Sequence, residues 1–454
     1  MTGLQLTALG GAGTVTGSKH LLDHDGGRIL VDCGLFQGQK NLRELNWRPL
    51  PVEAATIDAV VLTHAHLDHC GYLPRLVREG FTGPIISTAA TRDVAELILK
   101  DSARLQEQEA MFLNRIKKSK HTPARPLYDS PDAQRALDAF ITYPFYQPFH
   151  TPGGATGRFR RAGHILGAAT VELHWAGRRI VFSGDLGRFD DPVMIAPDPV
   201  READYVVIES TYGDRLHETA AAVDALADAV ERTIRRGGTV LIPSFAVGRA
   251  QTLLYYLWSL RHSGRLPKVP IYLDSPMAIN ASELLHAHPN DHRLDPATCD
   301  AVGDVATYTR DPEASKRISR SREPKIVISA SGMATGGRIL HHLKSFGRDR
   351  RHTILLAGFQ AAGTRGRALQ QGATEIKIHG DWTPINAEVA DLPGLSAHAD
   401  ADELVKWLKE FHKAPQRVFI VHGEPQAAET FRSRIDRELA WDATVPRQNQ
   451  TFQL

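Results

Sequence analysis

The segment "VVLTHAHLDHCG", Val60–Gly71, places three histidines and an aspartate within six consecutive positions. On an extended segment, side chains two positions apart point to the same side, so His64 and His66 face one way. Asp68 and His69 follow, at the turn into a predicted helix. Imidazole and carboxylate groups bind zinc, and four of them in so short a segment favour two adjacent metal ions over one. The alternative is a histidine-rich surface turn, but this pattern arises by chance in only roughly one chain in a few hundred.

The composition predicts an ordinary globular protein with two or three domains. The chain has 454 residues, 42% of them hydrophobic and 23% charged, with a net charge of +2. That charge is too small to indicate nucleic-acid binding by itself, and it does not exclude a local basic groove. The sequence has no apolar run near the ~18 residues of a membrane span. Its first residues show no basic segment followed by an apolar core, so no signal peptide is expected. Three cysteines indicate a reducing compartment, so we expect a cytoplasmic protein without a membrane partner.

The pattern of strands and helices changes along the chain. Short predicted strands dominate the first part, and residues 92–119 form a predicted helix rich in good helix formers. From about Ala220, strands alternate with helices of a length typical of a parallel sheet. The tail from Trp441 has no clear periodicity and is predicted to be irregular.

Several other apolar runs end in a residue that can bind metal or transfer protons. "RILVDCG" ends in Asp32, "RRIVFSGD" in Asp185, "YVVIES" in Glu209 and "RVFIVHGE" in His422. Buried strands with such endings indicate a site at the carboxyl edge of a sheet. His164, in "RRAGHILGAA", is a further candidate ligand.

Some residues resemble functional motifs but have a simpler interpretation. Cys33 and Cys70 adjoin the candidate site, and packing beneath it is the preferred interpretation over metal binding. "GGAGTVTG", Gly10–Gly17, resembles a dinucleotide-binding loop but leads into a strand, so it predicts a β-hairpin connection. Seven other histidines are interpreted as surface or satisfied polar residues: His20, His24, His174, His286, His288, His341 and His342.

Taken together, these motifs resemble those of the metallo-β-lactamase fold. "THAHLDH" is similar to its H-x-H-x-D-H signature, and "IESTYGD", "LSAHAD" and "VHGE" are similar to motifs A, B and C of the β-CASP subgroup. The resemblance covers essentially the whole chain. It implies an α/β fold, an αββα sandwich interrupted by an inserted β-CASP domain with a parallel sheet. The expected domain ranges are 1–208 and 392–454 for the sandwich and 209–391 for the insertion.

The resemblance also implies a site with two zinc ions per chain. One ion would be bound by His64, His66 and His164, the other by Asp68, His69 and His422, with Asp185 bridging them. Asp32 would orient ligands and the bound water. The expected catalytic residues are Asp32, Asp68, Glu209 and His398.

Two segments of the insertion are expected to contact substrate phosphates. "PSFAVGRAQ", Pro243–Gln251, leads into a helix whose N-terminus can hold an anion, and "SASGMATGGR", Ser329–Arg338, is rich in glycine. The alternative for each is a tight strand-to-helix turn. The predicted phosphate-binding residues are Ser244, Arg249, Ser331, Gly332, Arg338 and Ser396.

The function implied is that of a zinc-dependent ribonuclease that cleaves RNA phosphodiester bonds with metal-activated water, in RNA processing or decay. A histidine at motif C, here His422, marks the RNA-acting members of the family, so single-stranded RNA is the expected partner. The alternatives are a DNA nuclease, a small-ester hydrolase of the same fold, and a non-catalytic RNA-binding scaffold. The sequence leaves a homo-oligomer open.

Overall fold

The computed structural model describes residues 3–117 and 122–454, which form two compact units. Unit 1 combines Met1–Asp190, Ile195–Arg215 and His398–Leu454, and unit 2 combines Asp191–Met194 with Leu216–Ala397. The chain therefore leaves the first unit and returns to it. The expected domain ends at 208/209 and 391/392 remain predictions.

The secondary structure is numbered in chain order. The strands are β1 (Gln5–Gly10), β2 (Lys19–His24), β3 (Gly27–Val31), β4 (Ala59–Val61), β5 (Ile85–Ser87), β6 (Phe140–Thr142), β7 (Pro148–His150), β8 (Thr156–Arg161), β9 (Ala169–Trp175), β10 (Arg178–Phe182), β11 (Tyr205–Glu209), β12 (Thr239–Pro243), β13 (Ile271–Leu273), β14 (Thr307–Tyr308), β15 (Lys325–Ser329), β16 (Thr353–Leu356), β17 (Glu375–Ile378), β18 (Asp381–Pro384), β19 (Glu388–Asp391), β20 (Arg417–Val421), β21 (Ala443–Thr444) and β22 (Gln450–Gln453). The α-helices are α1 (Lys40–Leu45), α2 (Leu67–Cys70), α3 (Leu73–Arg78), α4 (Ala89–Arg115), α5 (Ser130–Asp138), α6 (Thr219–Arg235), α7 (Arg249–His262), α8 (Pro276–Ala287), α9 (Pro296–Gly303), α10 (Pro312–Arg320), α11 (Ile339–Phe346), α12 (Arg365–Gln370), α13 (Ala401–Leu408) and α14 (Pro425–Leu439).

Unit 1 is a sandwich of two sheets. One sheet has the strand order β22-β1-β2-β3-β4-β5-β6, and the other has the order β21-β20-β11-β10-β9-β8-β7. Side chains alternate across each strand, so Ile29 and Val31 of β3 enter the core between the sheets. Leu30, on the opposite face, is also buried. Helix α4 contacts β6 and α14 contacts β20 and β21, which completes the predicted αββα arrangement.

Unit 2 is built on a six-stranded sheet with the order β14-β13-β15-β12-β16-β19. All paired strands of this six-stranded sheet run parallel, as the alternation of strands and helices predicted. On β15, Ile326 and Ile328 pack into a core with helices α6 to α8. Val327 points to the other face, where residues of α10, α11 and α12 form a second core. Strands buried on both faces are typical of such sheets.

The segment Gly10–Gly17 connects β1 to β2, which pair antiparallel, as the hairpin interpretation predicted. A Cβ on Gly10 would come within 1.9 Å of the carbonyl oxygen of Gly17. Glycine is therefore required where the two ends of this connection meet.

Two details of the sequence interpretation need correction. The helix predicted over residues 92–119 is observed as α4, which starts earlier and ends at Arg115, and residues 118 and 119 lie outside the described part of the chain. The tail from Trp441 is not irregular, because β22 pairs with β1 at the sheet edge. An edge strand is paired on one side only, and this one carries a single large apolar residue, Phe452, so it lacks a hydrophobic alternation.

Within the described residues, no helix is both long enough and apolar enough to span a membrane.

Candidate metal centre

The ends of the central strands of unit 1 place the candidate residues. Asp32 follows β3 directly, His422 follows β20 directly, and Glu209 is the last residue of β11. The opening histidine segment runs from the end of β4 into α2, and Asp185 follows β10 by three positions. Apolar strands buried in the sandwich thus hold polar side chains at one edge, as the sequence predicted.

The first group of ligand atoms comes from His64, His66, His164 and Asp185. Nδ1 of His66 lies 3.2 Å from Nε2 of His64 and 3.1 Å from Nε2 of His164. Asp185 Oδ2 lies 3.4 Å from His64 Nε2 and 3.6 Å from His164 Nε2. Four ligand atoms therefore converge on one point.

The second group comes from Asp68, His69 and His422. Nε2 of His69 and Nε2 of His422 are 3.2 Å apart, and Asp68 Oδ2 lies 3.4 Å from His422 Nε2. Asp185 Oδ1 lies 3.3 Å from His69 Nε2 and 3.4 Å from His422 Nδ1. Each oxygen of Asp185 thus faces a different group, which is the arrangement expected of a bridging carboxylate.

These residues fit a metal ion. Two nitrogen ligands ~2.05 Å from a tetrahedral zinc ion are separated by roughly 3.3 Å, close to the observed separations of 3.1 and 3.2 Å. Asp185 Oδ1 is buried and has no hydrogen-bond partner among the described residues. A buried carboxylate oxygen in that situation is costly unless a cation compensates it.

Asp32 and Thr63 orient two of the histidines. Asp32 Oδ1 accepts a hydrogen bond from the backbone N–H of Thr63 at 2.8 Å, and Asp32 Oδ2 accepts one from the Thr63 hydroxyl at 2.8 Å. Asp32 Oδ2 lies 2.8 Å from Nδ1 of His69. A carboxylate only accepts, so Nδ1 carries the proton and Nε2 presents its lone pair to the site. The Thr63 hydroxyl lies 3.1 Å from Nδ1 of His64. Because its own proton is donated to Asp32, it accepts from Nδ1 of His64, and Nε2 of His64 is left to face the site.

Burial and neighbouring charges together shift the pKa values of Asp185, His69 and His64. Burial alone would raise the pKa of Asp185, but His422, His69 and His64 outweigh it and hold that pKa well below its ordinary value. Burial opposes a charged His69, yet Asp185 and Asp32 raise its pKa well above the ordinary value. The pKa of His64 is lowered well below the ordinary value by burial and by His69. Asp185 thus stays ionised and attracts positive charge, a proton or a metal ion, to the imidazole of His69.

Glu209 and His398 form a pair beside the first group. His398 Nδ1 lies 3.3 and 3.2 Å from the two carboxylate oxygens of Glu209, and Glu209 is fully buried. Glu209 Oε1 also accepts the backbone N–H of Leu186 at 2.6 Å. Burial would lower the pKa of His398, but the charge and hydrogen bond of Glu209 raise it above the ordinary value. The pair also forms a third group of ligand-type atoms with Asp185, so a ligand role for His398 is the competing interpretation.

The cysteines pack beneath the site as expected. Burial raises the pKa of Cys33 to about 12 and that of Cys70 well above its ordinary value. The Cys70 thiol donates to the carbonyl oxygen of Ala65 at 3.3 Å. Neither cysteine belongs to any group of ligand atoms found within residues 3–117 and 122–454.

The sequence interpretation missed four residues that support the site. Thr63 precedes the first histidine, and Thr211 places its hydroxyl 3.2 Å from Nδ1 of His422. Ser18 and His20 line a cavity of about 10 Å³ beside the ligands, which is room for about one water molecule. The adjacency of Thr63 to His64 was a usable signal, whereas the others depend on contacts between distant strands.

The residues predicted to bind phosphate belong to unit 2, whereas the ligand groups belong to unit 1. β12 pairs with β15, and the backbone N–H of Ser244 donates to the carbonyl oxygen of Ser329, so both segments follow the same sheet edge. A Cβ on Gly332 would lie 2.8 Å from the backbone nitrogen of Phe245, so the segments pack closely together. Arg249 and Ser396 are buried.

Arg338 differs from the expectation that it adds charge for a phosphate. Its guanidinium donates to the fully buried Asp274 at 2.6 Å and to the carbonyl oxygens of Thr309 and Arg310. His342 also contacts Asp274, at 2.7 Å, which agrees with its interpretation as a satisfied polar residue. These contacts favour a structural role for Arg338. Phosphate binding by the six residues stays a prediction.

Comparison with known proteins identifies the family. Residues 13–226 match the metallo-beta-lactamase superfamily, residues 250–369 the Beta-Casp domain, and residues 382–446 the Zn-dependent metallo-hydrolase RNA specificity domain. The chain is 38% identical to Ribonuclease TTHA0252 of Thermus thermophilus over 93% of this chain and 94% of that protein. It is 32% identical to transcription termination factor FttA of Methanosarcina mazei over 96% of this chain and 69% of that protein.

A crystal structure of a protein of unknown function from Enterococcus faecalis V583 has a TM-score of 0.54 at 13% sequence identity, over the full length of both chains. At that identity the likeness concerns the fold alone. The chain belongs to the β-CASP family of the metallo-β-lactamase superfamily, and it is a metal-dependent hydrolase of the nuclease type.

We predict that Thr63→Val weakens metal binding by about 10- to 100-fold without removing a ligand. The change deletes the hydroxyl that contacts both Asp32 and His64. Competition with a chromophoric chelator measures the affinity. Thr170→Val is the matched control, because Thr170 is a buried threonine of the same unit that donates to the carbonyl oxygen of Ser183. Equal affinity of both variants would contradict the role given to Thr63.

Proposed function

We propose that this protein is a zinc-dependent ribonuclease that cleaves phosphodiester bonds of single-stranded RNA by attack of water. The observation that carries the proposal is the pair of adjacent ligand groups that share Asp185. The names of the relatives support RNA as the substrate, and so does the matched RNA specificity domain. Every ligand position of the resembled family is filled, which argues against a non-catalytic scaffold.

The donor set supports zinc and a count of two ions. Imidazole nitrogens with carboxylate oxygens suit zinc, and each group offers three or four ligand atoms. One ion would be held by His64, His66, His164 and Asp185, and the other by Asp68, His69, His422 and Asp185. When bound, the ions supply an acidified water nucleophile and positive charge beside the reacting phosphate.

We predict that the native protein contains two zinc ions per chain and that Asp185→Asn contains fewer than one. An amide at this position removes the negative charge that faces both groups. Elemental analysis of protein purified without chelators measures the content. Asp132→Asn serves as control, since Asp132 is a buried carboxylate of unit 1 that accepts the backbone N–H of Asp129, the N-cap residue of α5. One ion in the native protein, or two in Asp185→Asn, would contradict the proposed ligand set.

The residues of the chain prepare the reaction by holding the ligands in place. Asp32 and Thr63 fix the tautomers of His69 and His64, so that both imidazoles present Nε2. Burial of Asp185 and His64 excludes bulk water from the inner side of the site, which strengthens electrostatic interactions there. In this proposal the nucleophile is water, and the ribose 2′-hydroxyl takes no part in the attack.

The test of this function is cleavage of labelled single-stranded RNA, compared with cleavage of the matching DNA and of a lactam in separate assays. We expect RNA to be cut at least about tenfold faster than DNA, and the lactam to remain intact. Attack by water on phosphorus leaves 5′-phosphate and 3′-hydroxyl ends, which mass spectrometry identifies. Ends with a 2′,3′-cyclic phosphate would show a different mechanism, and faster cleavage of DNA would show a DNA nuclease.

His398 is proposed as the general acid that protonates the leaving ribose oxygen. A ribose alkoxide is a poor leaving group, so a proton donor in the transition state is valuable. Glu209 accepts from Nδ1 of His398 and is itself fixed by the backbone of Leu186. A carboxylate partner fixes the tautomer of an imidazole and favours its protonated form.

We predict that His398→Ala retains its metal and loses roughly 10²- to 10⁴-fold in rate on normal RNA. On RNA with a sulfur atom bridging at the cleaved bond, the loss should be much smaller, because a thiolate leaves without protonation. Glu209→Gln should show the same difference between substrates, more weakly. His174→Ala, a change at an exposed histidine of unit 1, is the control. Equal losses on both substrates would exclude the acid role, and loss of metal would make His398 a ligand.

Cytoplasmic location is part of the proposal. Cys33, Cys70 and Cys299 are buried and unpaired with one another, which supports a reducing compartment. Fractionation of cells tests it.

A further inference from the structure

The hairpin β17–β18 of unit 2 presents an exposed tryptophan on a well-supported backbone. Ile376 and Ile378 of β17 point inward and belong to the core of the unit. Lys377 and Trp382 are cross-strand partners on the outer face, and Trp382 is 60% exposed. Side chains alternate along both strands, so packing of the inner face fixes the direction of the indole.

The turn and the adjacent helix add nitrogen-rich side chains to this surface. His379 is in the turn, and its ring lies 5.1 Å, between centroids, from that of His341 in α11. Both histidines are exposed. Lys344 lies 3.2 Å from the carboxylate of Asp381 and offsets its charge. The surface therefore combines flat rings with the cationic side chains of Lys377 and Lys344, and Lys344 pairs with Asp381.

Arg365 joins this hairpin to the glycine-rich segment Ser329–Arg338. Its Nε donates to the carbonyl oxygen of Lys377, and its Nη1 donates to the carbonyl oxygens of Ala334 and Thr335, each at 3.1 Å. The exposed indole and a segment predicted to contact phosphate are thus held together by one side chain within the same unit.

We propose that Trp382, with Lys377 beside it, is a stacking platform for one unpaired base of single-stranded RNA. Every base has a flat face that stacks on an indole, and a neighbouring cation attracts the phosphate that follows it. The segment Ser329–Arg338 lies next to the platform and would receive the adjoining backbone. This inference rests on the proposed ribonuclease function and adds a substrate-binding position in unit 2, which contributes none of the proposed metal ligands.

The chemistry of the surface favours RNA over a second copy of the chain. Stable protein interfaces bury about 1,200 Å² or more and have few lysines at their centre. Here the partner of the indole across the hairpin is a lysine, and Glu375 and Asp381 are exposed at the ends of the strands. A narrow ribbon with one ring and alternating charges suits one base better than an apolar protein surface.

The experiment compares Trp382→Ala with Trp47→Ala. Trp47 is 55% exposed in unit 1 and outside every site described above, so it controls for loss of a surface indole. Both changes are made in the full-length metal-loaded protein in the His398→Ala background, which is predicted to retain its metal and to cleave roughly 10²- to 10⁴-fold more slowly, and binding of a fluorescent single-stranded oligonucleotide is measured. We expect Trp382→Ala to weaken binding by about 5- to 150-fold, Trp382→Phe by much less, and Trp47→Ala not at all.

Kinetics and salt dependence separate stacking from a structural effect. In the cleaving protein, Trp382→Ala should raise KM and leave kcat unchanged, because stacking of the base is the same in the ground state and in the transition state. Lys377→Ala should reduce the slope of log affinity against log salt by about 1. Binding of blunt double-stranded RNA should be unchanged in Trp382→Ala, because its bases are already stacked.

Three outcomes would overturn the platform. The first is cleavage of RNA by the native protein with equal affinity in Trp382→Ala and Trp47→Ala, which leaves the ribonuclease function intact. The second is loss of a dimer in Trp382→Ala by sedimentation, which identifies a second copy as the occupant. The third is absence of RNA binding and cleavage in the native protein, which removes the proposed function as well.

Discussion

The site depends on one buried carboxylate. Asp185 is 2% exposed and is surrounded by imidazoles, each of its oxygens facing a different set. An ionised carboxylate taken out of water costs several kcal/mol of free energy unless positive charge compensates it. Protons on the imidazoles or metal ions can supply that charge, and both bind at the same nitrogen lone pairs. The folded site is therefore stabilised by a cation that compensates Asp185. Metal binding and the stability of the site are coupled for this reason.

The packed sheets hold two residues of the centre in strained backbone conformations. Asp32 and His422 adopt left-handed backbone conformations, with φ of +60° and +49°, which cost free energy for residues other than glycine. Both follow directly after buried strands, so the packed sheets hold these two turns in place. Asp32 is further tied to Thr63 and His69 by hydrogen bonds. Such strain is typical of functional sites. It persists because contacts with the surrounding structure stabilise a backbone conformation that is unfavourable for the isolated segment.

Unit 2 uses the same construction for a different purpose. Its parallel sheet is covered on both faces, and its polar residues gather at the carboxyl edge, as expected for such sheets. There Asp274 is satisfied by Arg338, His342 and Ser315, and the pKa of this carboxyl lies below its ordinary value because these hydrogen bonds outweigh burial. The network is complete within the protein, in contrast to Asp185, whose Oδ1 has no hydrogen-bond partner among the described residues. This difference favours a structural role for the Asp274 cluster and a bound cation at Asp185.

The sequence by itself determined the fold class, the parallel sheet of the second unit and the seven candidate ligands. Apolar runs that end in acidic residues or histidine are local patterns, and strand alternation is decided by neighbours in the chain. The family resemblance already implied that Asp185 bridges the two groups. Tertiary structure alone decided that Thr63 and Thr211 orient histidines and that Arg338 is bound by Asp274. It also paired β22 with β1, although the tail has no strand-like alternation. These features arise from contacts between residues far apart in the chain, and no local pattern specifies which strand ends meet.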